Sequence, residues 1–257
     1  MESQSLGLSL LARMEQDVCR CQRDGSMAFL WRHFDRSLAF YYRALTAMLE
    51  RHTNSEADKQ FWEAYFWLAM KCLANFRSIG ILVERGWHGS SYPLLRSMYA
   101  DTSMIWYLHL NPHLLKLWLD EDESTYQKSK EYREAFKEAT VFAALKKESI
   151  NASKQFFQLQ SKSAHGSGWG IRFFTQGGRL SMRPFPSVEH MAIALPLASG
   201  LALDLVRLGM LRLSGNSDTA MSQLEEELHD LTGELAPLFC AASGLLGAGV
   251  GDQSPAG

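Results

Sequence analysis

The sequence predicts an all-α protein: an antiparallel helical bundle of seven or eight helices carrying one small β-hairpin. Three observations predict it. Apolar residues recur at steps of three and four through most of the chain, glycine and proline punctuate the runs between them, and Gly177-Gly178 separates two short stretches of strand-like character. The 257 residues are enough to bury a sizeable core, and a composition of 46% hydrophobic and 21% charged residues is that of a folded chain. A single domain is expected over 1–246, followed by a loose Gly/Ser/Pro-rich tail at 247–257.

Residues 27–52 place Leu30, Phe34, Leu38, Tyr41, Leu45 and Met48 on one helical stripe. Ser55 followed by Asp58 resembles a capping signal, and Phe61, Tyr65, Leu68, Cys72, Phe76 and Ile79 carry a second long helix toward Val83. The segment RGWHGSS at 85–91 interrupts, and Pro93 then suits the first turn of a helix from about Tyr92 to Leu110, stopped by Asn111-Pro112. The apolar LLKLWL leads to the acidic DEDE at 120–123 and to one charged helix over 126–147, whose early acids suit the helix dipole. A helix over 150–164, the hairpin over about 170–184, and helices over about 188–213 and 218–246 complete the order.

A net charge of -2 and a pI near 6.5 supply no global attraction to long duplex nucleic acid or an anionic membrane. The N-terminus lacks a secretion-signal pattern, and the longest uncharged apolar stretch, MAIALPLASGLAL, falls short of a span of about 20 residues; a cytoplasmic protein without membrane contact is expected. Cys19, Cys21, Cys72 and Cys240 have neither paired metal spacing nor a disulfide framework, and His33, His52, His109 and His113 form no tight ligand spacing, so reduced thiols, no metal and no cofactor are expected.

The candidate site is LQSKSAHGSGWGIRFF, 159–174. Phe157, Ser161 and His165 share a helical face, and Lys162 lies one turn before the histidine. His165 reads either as a helix-terminal residue closed by Gly166, or as part of a site. With Gly177-Gly178 as the loop, Gln176 faces Arg179, Thr175 faces Leu180, and Arg172 faces Arg183. Two opposed guanidinium groups repel unless an acid or a bound anion lies between them. Asp204 or the DEDE run supplies the acid in a structural reading. In a ligand reading, Arg172, Arg179 and Arg183, with His165 and Lys162, cradle a phosphate, and Phe174 stacks on a base; the ligand is then a nucleotide or short single-stranded RNA.

Two segments resemble a family of uncharacterised bacterial all-helical proteins with a HEPN-like character. YPLLRSMYADTSMIWYLHLNP, 92–112, is similar to the family's Leu-Leu-Arg-Ser helix opening, with Arg96 at its arginine; FFQLQSKSAHGS, 156–167, carries a Ser-x-x-x-His pattern at Ser161 and His165. The resemblance implies metal-independent RNA cleavage, often across a dimer interface, with Arg96, Ser161 and His165 as the catalytic candidates. The chain departs from it twice. No arginine stands four to six residues before His165, the only comparable spacing being Arg183 to His190 with Pro184 and Pro186 between; and Ala100 occupies the position of the family's acid, with Asp101 about 140° round the helix from Arg96. The competing expectation is a non-enzymatic homodimer in which Trp62, Phe66, Trp67 and Trp106 form core or an oligomer surface.

Overall fold

The computed structural model describes residues 2–24, 27–52, 56–120, 129–148, 150, 175–176, 179–180, 183–213 and 219–248. The helices are α1 (Glu2–Asp24), α2 (Ala28–Arg51), α3 (Glu56–Glu84), α4 (His88–Leu110), α5 (Leu115–Leu119), α6 (Lys130–Ala135), α7 (Glu138–Lys147), α8 (Val188–Leu213) and α9 (Thr219–Ala248). A 3-10 turn, Pro112–Leu114, joins α4 to α5. The all-helical expectation holds, with nine α-helices among the described residues rather than seven or eight.

The 126–147 run, expected as one helix, is the clearest source of the difference. Its described part breaks at Phe136-Lys137, where Lys137 turns extended (φ -61°, ψ 132°). The break is held by side chains: Tyr107 donates to Ala135 O at 3.0 Å, Thr140 donates to Glu134 O at 3.0 Å, and Phe136 turns in against Tyr132, ring centroids 4.6 Å apart. Capping by the Ser129 side chain starts α6. α4 also begins four residues earlier than expected, at His88, which leaves Pro93 inside the helix.

The hairpin expected over 170–184 is not shown at that extent, although its two innermost pairs have the expected register. Pairing among the described residues is confined to β1 (Thr175–Gln176) and β2 (Arg179–Leu180), with Thr175 opposite Leu180 and Gln176 opposite Arg179. Arg183 stands in irregular chain beyond it, and Arg172, its expected partner, lies outside the described residues.

α8 is the central helix, packed by α2, α3, α4 and α9. Gly209 allows α2 and α3 to close on it: a Cβ there would stand 2.5 Å from both Met48 Sδ and Tyr65 Oη. Tyr65 reaches across to donate to Leu205 O at 2.9 Å, so its buried hydroxyl is satisfied. Between α2 and α3, Phe76 meets Phe34 and Tyr41 edge-on at 4.7 and 6.3 Å. Surface ion pairs fasten the periphery: Arg36–Glu234 and Arg43–Glu227 join α2 to α9, and Arg23 joins α1 to Asp35 and Glu84. Exposed pairs of this kind each contribute about 0–1 kcal/mol.

Two helices are long and apolar enough to cross a membrane by length and composition, Asp58–Glu84 of α3 and Val188–Leu213 of α8; the apolar window of α8 is 67% buried as core, that of α3 39%.

Candidate functional site

The site is built on α4. His88, Tyr92, Arg96 and Tyr99 succeed one another at steps of four, four and three, which aligns them along one face. Arg96 is half-buried, while the three flanking residues are buried. Tyr99 stacks on Phe142 of α7 at 6.0 Å, and the Tyr92 hydroxyl stands 3.3 Å from Nδ1 of His190, in the first turn of α8.

The N-terminal end of this face is shaped by a turn that only glycine accommodates. Gly86 has φ +81°, and a Cβ there would meet the Phe185 backbone at 2.7 Å. The chain at 183–187 therefore lies directly on the start of α4. His88 Nε2 donates to Phe185 O at 3.0 Å, and the His88 and His190 rings face each other at 5.2 Å. This fixes the His88 tautomer and leaves its Nδ1 buried without a hydrogen-bond partner among the described residues. Burial, reinforced by the neighbouring His190, pushes His88 down to about 3; burial pushes His190 down to about 4. Both imidazoles are therefore neutral at neutral pH. Burial, with Glu189 nearby, raises the Tyr92 phenol.

Asp101 and Asp204 are engaged elsewhere, and residues 121–123 of the DEDE run lie outside the described residues. Asp101 turns to α3, where Lys71 donates to it at 2.8 Å, and Ser97 Oγ lies 3.4 Å away. Burial raises its carboxyl, and these two partners pull it back. Asp204 accepts from Trp106 Nε1 at 2.8 Å and lies 3.6 Å from Arg207. Neither acid is bound to an arginine of the expected cradle in these contacts.

Of the expected site residues, Ser161, Lys162, His165, Arg172 and Phe174 lie outside the described residues. Arg179 is described only through its backbone pairing with Gln176. Arg183 is exposed, two residues before the Phe185 carbonyl that His88 holds, so it belongs to the chain laid on the start of α4. Arg96 is the one expected catalytic residue whose setting is described. The sequence placed His88, Tyr92 and Tyr99 in no candidate site, and His190 entered only through its spacing from Arg183, set aside because Pro184 and Pro186 intervene. The 88-92-96-99 spacing was there to be read, but Pro93 drew the expected helix start past His88, and the His88–His190 meeting has no local signature.

A family model described as a family of unknown function, DUF5677, matches residues 63–197. The chain belongs to this family. The DUF5677 match takes in α4, the segment with Ser161 and His165, and the first turns of α8, so both quoted motifs and the His88–His190 pair fall within it. Its description names no activity and does not mention the HEPN group. No curated protein and no solved structure matches the chain.

Proposed function

We propose that this DUF5677 protein binds a phosphate-bearing ligand, a nucleotide or short single-stranded RNA, on the α4 face that carries Tyr92, Arg96 and Tyr99. The carrying observation is the half-buried Arg96 set between two tyrosines of one stripe. A partly desolvated guanidinium forms stronger charge-assisted bonds to phosphate oxygens than a solvated one, and its planar fork favours bidentate contact. Lys162, Arg172, Arg179 and Arg183 add the remaining positive charge, and Phe174 the stacking surface for a base.

Metal-independent RNA cleavage extends this reading. A general acid–base group works best with a pKa near the working pH. His88 and His190, at about 3 and about 4, are too weakly basic for that task. The role then falls to His165, with Arg96 stabilising charge on the phosphate and Ser161 hydrogen-bonding beside the imidazole.

The test is fluorescence polarisation with a labelled single-stranded oligoribonucleotide and with ATP. Arg96→Ala lowers affinity at least tenfold without a change in Tm, and His165→Ala binds RNA but no longer cuts it. Unchanged affinity in Arg96→Ala overturns the binding site; unchanged cutting in His165→Ala removes that residue from the chemistry. A second reading, a non-enzymatic homo-oligomeric interaction protein, is favoured by the solvent-exposed Trp67. It prevails if the wild type binds neither probe and Arg96→Ala merely lowers Tm.

A further inference from the structure

The outward face of α3 is apolar at its centre, with Glu63 toward one end, where Lys59 is also exposed, and Arg77 toward the other. Glu63, Trp67, Met70, Ala74, Arg77 and Ile81 are all exposed. At about 100° per residue they fall within an arc of about 80°. Trp67 is 71% exposed and Met70 57%, and beside them opens a depression of ≈ 680 Å³, also lined by Phe66 and Lys71. Such a patch is costly to leave in water.

The order of residues along this face says what covers it. Glu63 and Arg77 each stand seven residues from Met70, on opposite sides. Neither forms an ion pair among the described residues. Turning a second α3 end for end about a two-fold axis through Met70 sets Glu63 against Arg77 of the other copy, and Arg77 against Glu63, at once. The same operation brings Trp67 level with position 73, one residue step (about 1.5 Å) from Ala74, so the large side chain lies beside the small one, while Met70 meets Met70. Self-complementarity of this kind is what an isologous interface requires.

We propose that the protein forms a two-fold homodimer through antiparallel packing of α3 on α3, centred on Met70, with two symmetry-related Glu63–Arg77 ion pairs flanking a Trp67–Ala74 apolar centre. The proposal is independent of the ligand reading, because it uses the face of α3 and none of the α4 stripe.

Sedimentation of the full chain tests it. The wild type sediments at twice the 29.0 kDa chain mass. Glu63→Arg and Arg77→Glu each weaken self-association at least tenfold, since each sets like charges together twice. Mixing the two single variants one to one restores the dimer, and so does combining both changes in one chain. Glu63, Arg77 and Trp67 are exposed, so circular dichroism and Tm stay at wild-type values and a folding defect is distinguishable from a lost interface. A wild type that is monomeric at tens of micromolar overturns the proposal. So does a dimer indifferent to both charge reversals, or a charge-swapped mixture that stays monomeric. Binding of the monomeric wild type to phosphatidylcholine–phosphatidylglycerol vesicles, lost in Trp67→Ala, overturns it in favour of a membrane surface.

Discussion

α3 and α8 are both long helices with apolar windows sufficient for a membrane span, yet they stand in opposite relations to the core. The window of α8 is 67% buried and that of α3 39%. α8 is covered by helices on several sides, and even its histidine, His190, is 6% exposed. α3 buries Phe61, Tyr65, Phe76 and Ile79 on one face and turns Trp67 and Met70 to solvent on the other. Average apolarity states how much surface a helix would gain by leaving water. It does not state which neighbours are present to cover it.

The sharpest way to break the comparison is on α3's inner face. Phe76→Ala, at a side chain with 0% exposure held edge-on by Phe34 and Tyr41, lowers stability by about 3–5 kcal/mol, read by urea or thermal unfolding.

The next effect reads the cost of burying a polar group on α8. His88 and His190 have folded pKa values below the ordinary 6.5, so below pH 6.5 the unfolded chain takes up protons that the folded chain refuses. Stability is therefore full above 6.5, declines as pH falls, and stops declining from this source near 4 for His190 and near 3 for His88. His190→Gln flattens the stability-versus-pH slope between 4.5 and 6.5 by up to about 1.4 kcal/mol per pH unit. An unchanged slope would show that His190 is not held neutral.

Gly209→Ala tests the close approach that centres α8. The added methyl group meets Met48 and Tyr65 and lowers stability by about 1–3 kcal/mol, with Tm falling accordingly. Trp67→Ala is the smallest, a shift within about 0.5 kcal/mol in dilute solution, because its side chain is solvated. A loss of several kcal/mol there would mean that α3's outer face is packed within the chain itself.

Much of the helical framework was legible in the sequence. The expected 27–52 and 188–213 compare with Ala28–Arg51 and Val188–Leu213, because apolar periodicity is local and each run is closed by local breakers. The charged run at 126–147 misled, since its propensity favours helix throughout while the break at Phe136 is held by Tyr107, a residue of a different helix. The candidate site was legible in part: Arg96 was identified, but the imidazoles that flank its stripe were not. His88 and His190 are far apart in the chain, and neither has a neighbour in sequence that announces the other.

By itself the sequence determined where helices run and which side chains share a face, because both follow from backbone period and residue type within a few turns. The tertiary structure alone decided which of those faces is covered. It directed Asp204 to Trp106 rather than to the expected arginines, set Asp101 against Lys71, brought two imidazoles together at the start of α4, and left Trp67 in water. The physical reason is that burial, hydrogen-bond satisfaction and charge neutralisation depend on partners supplied from other helices, and no local pattern specifies them.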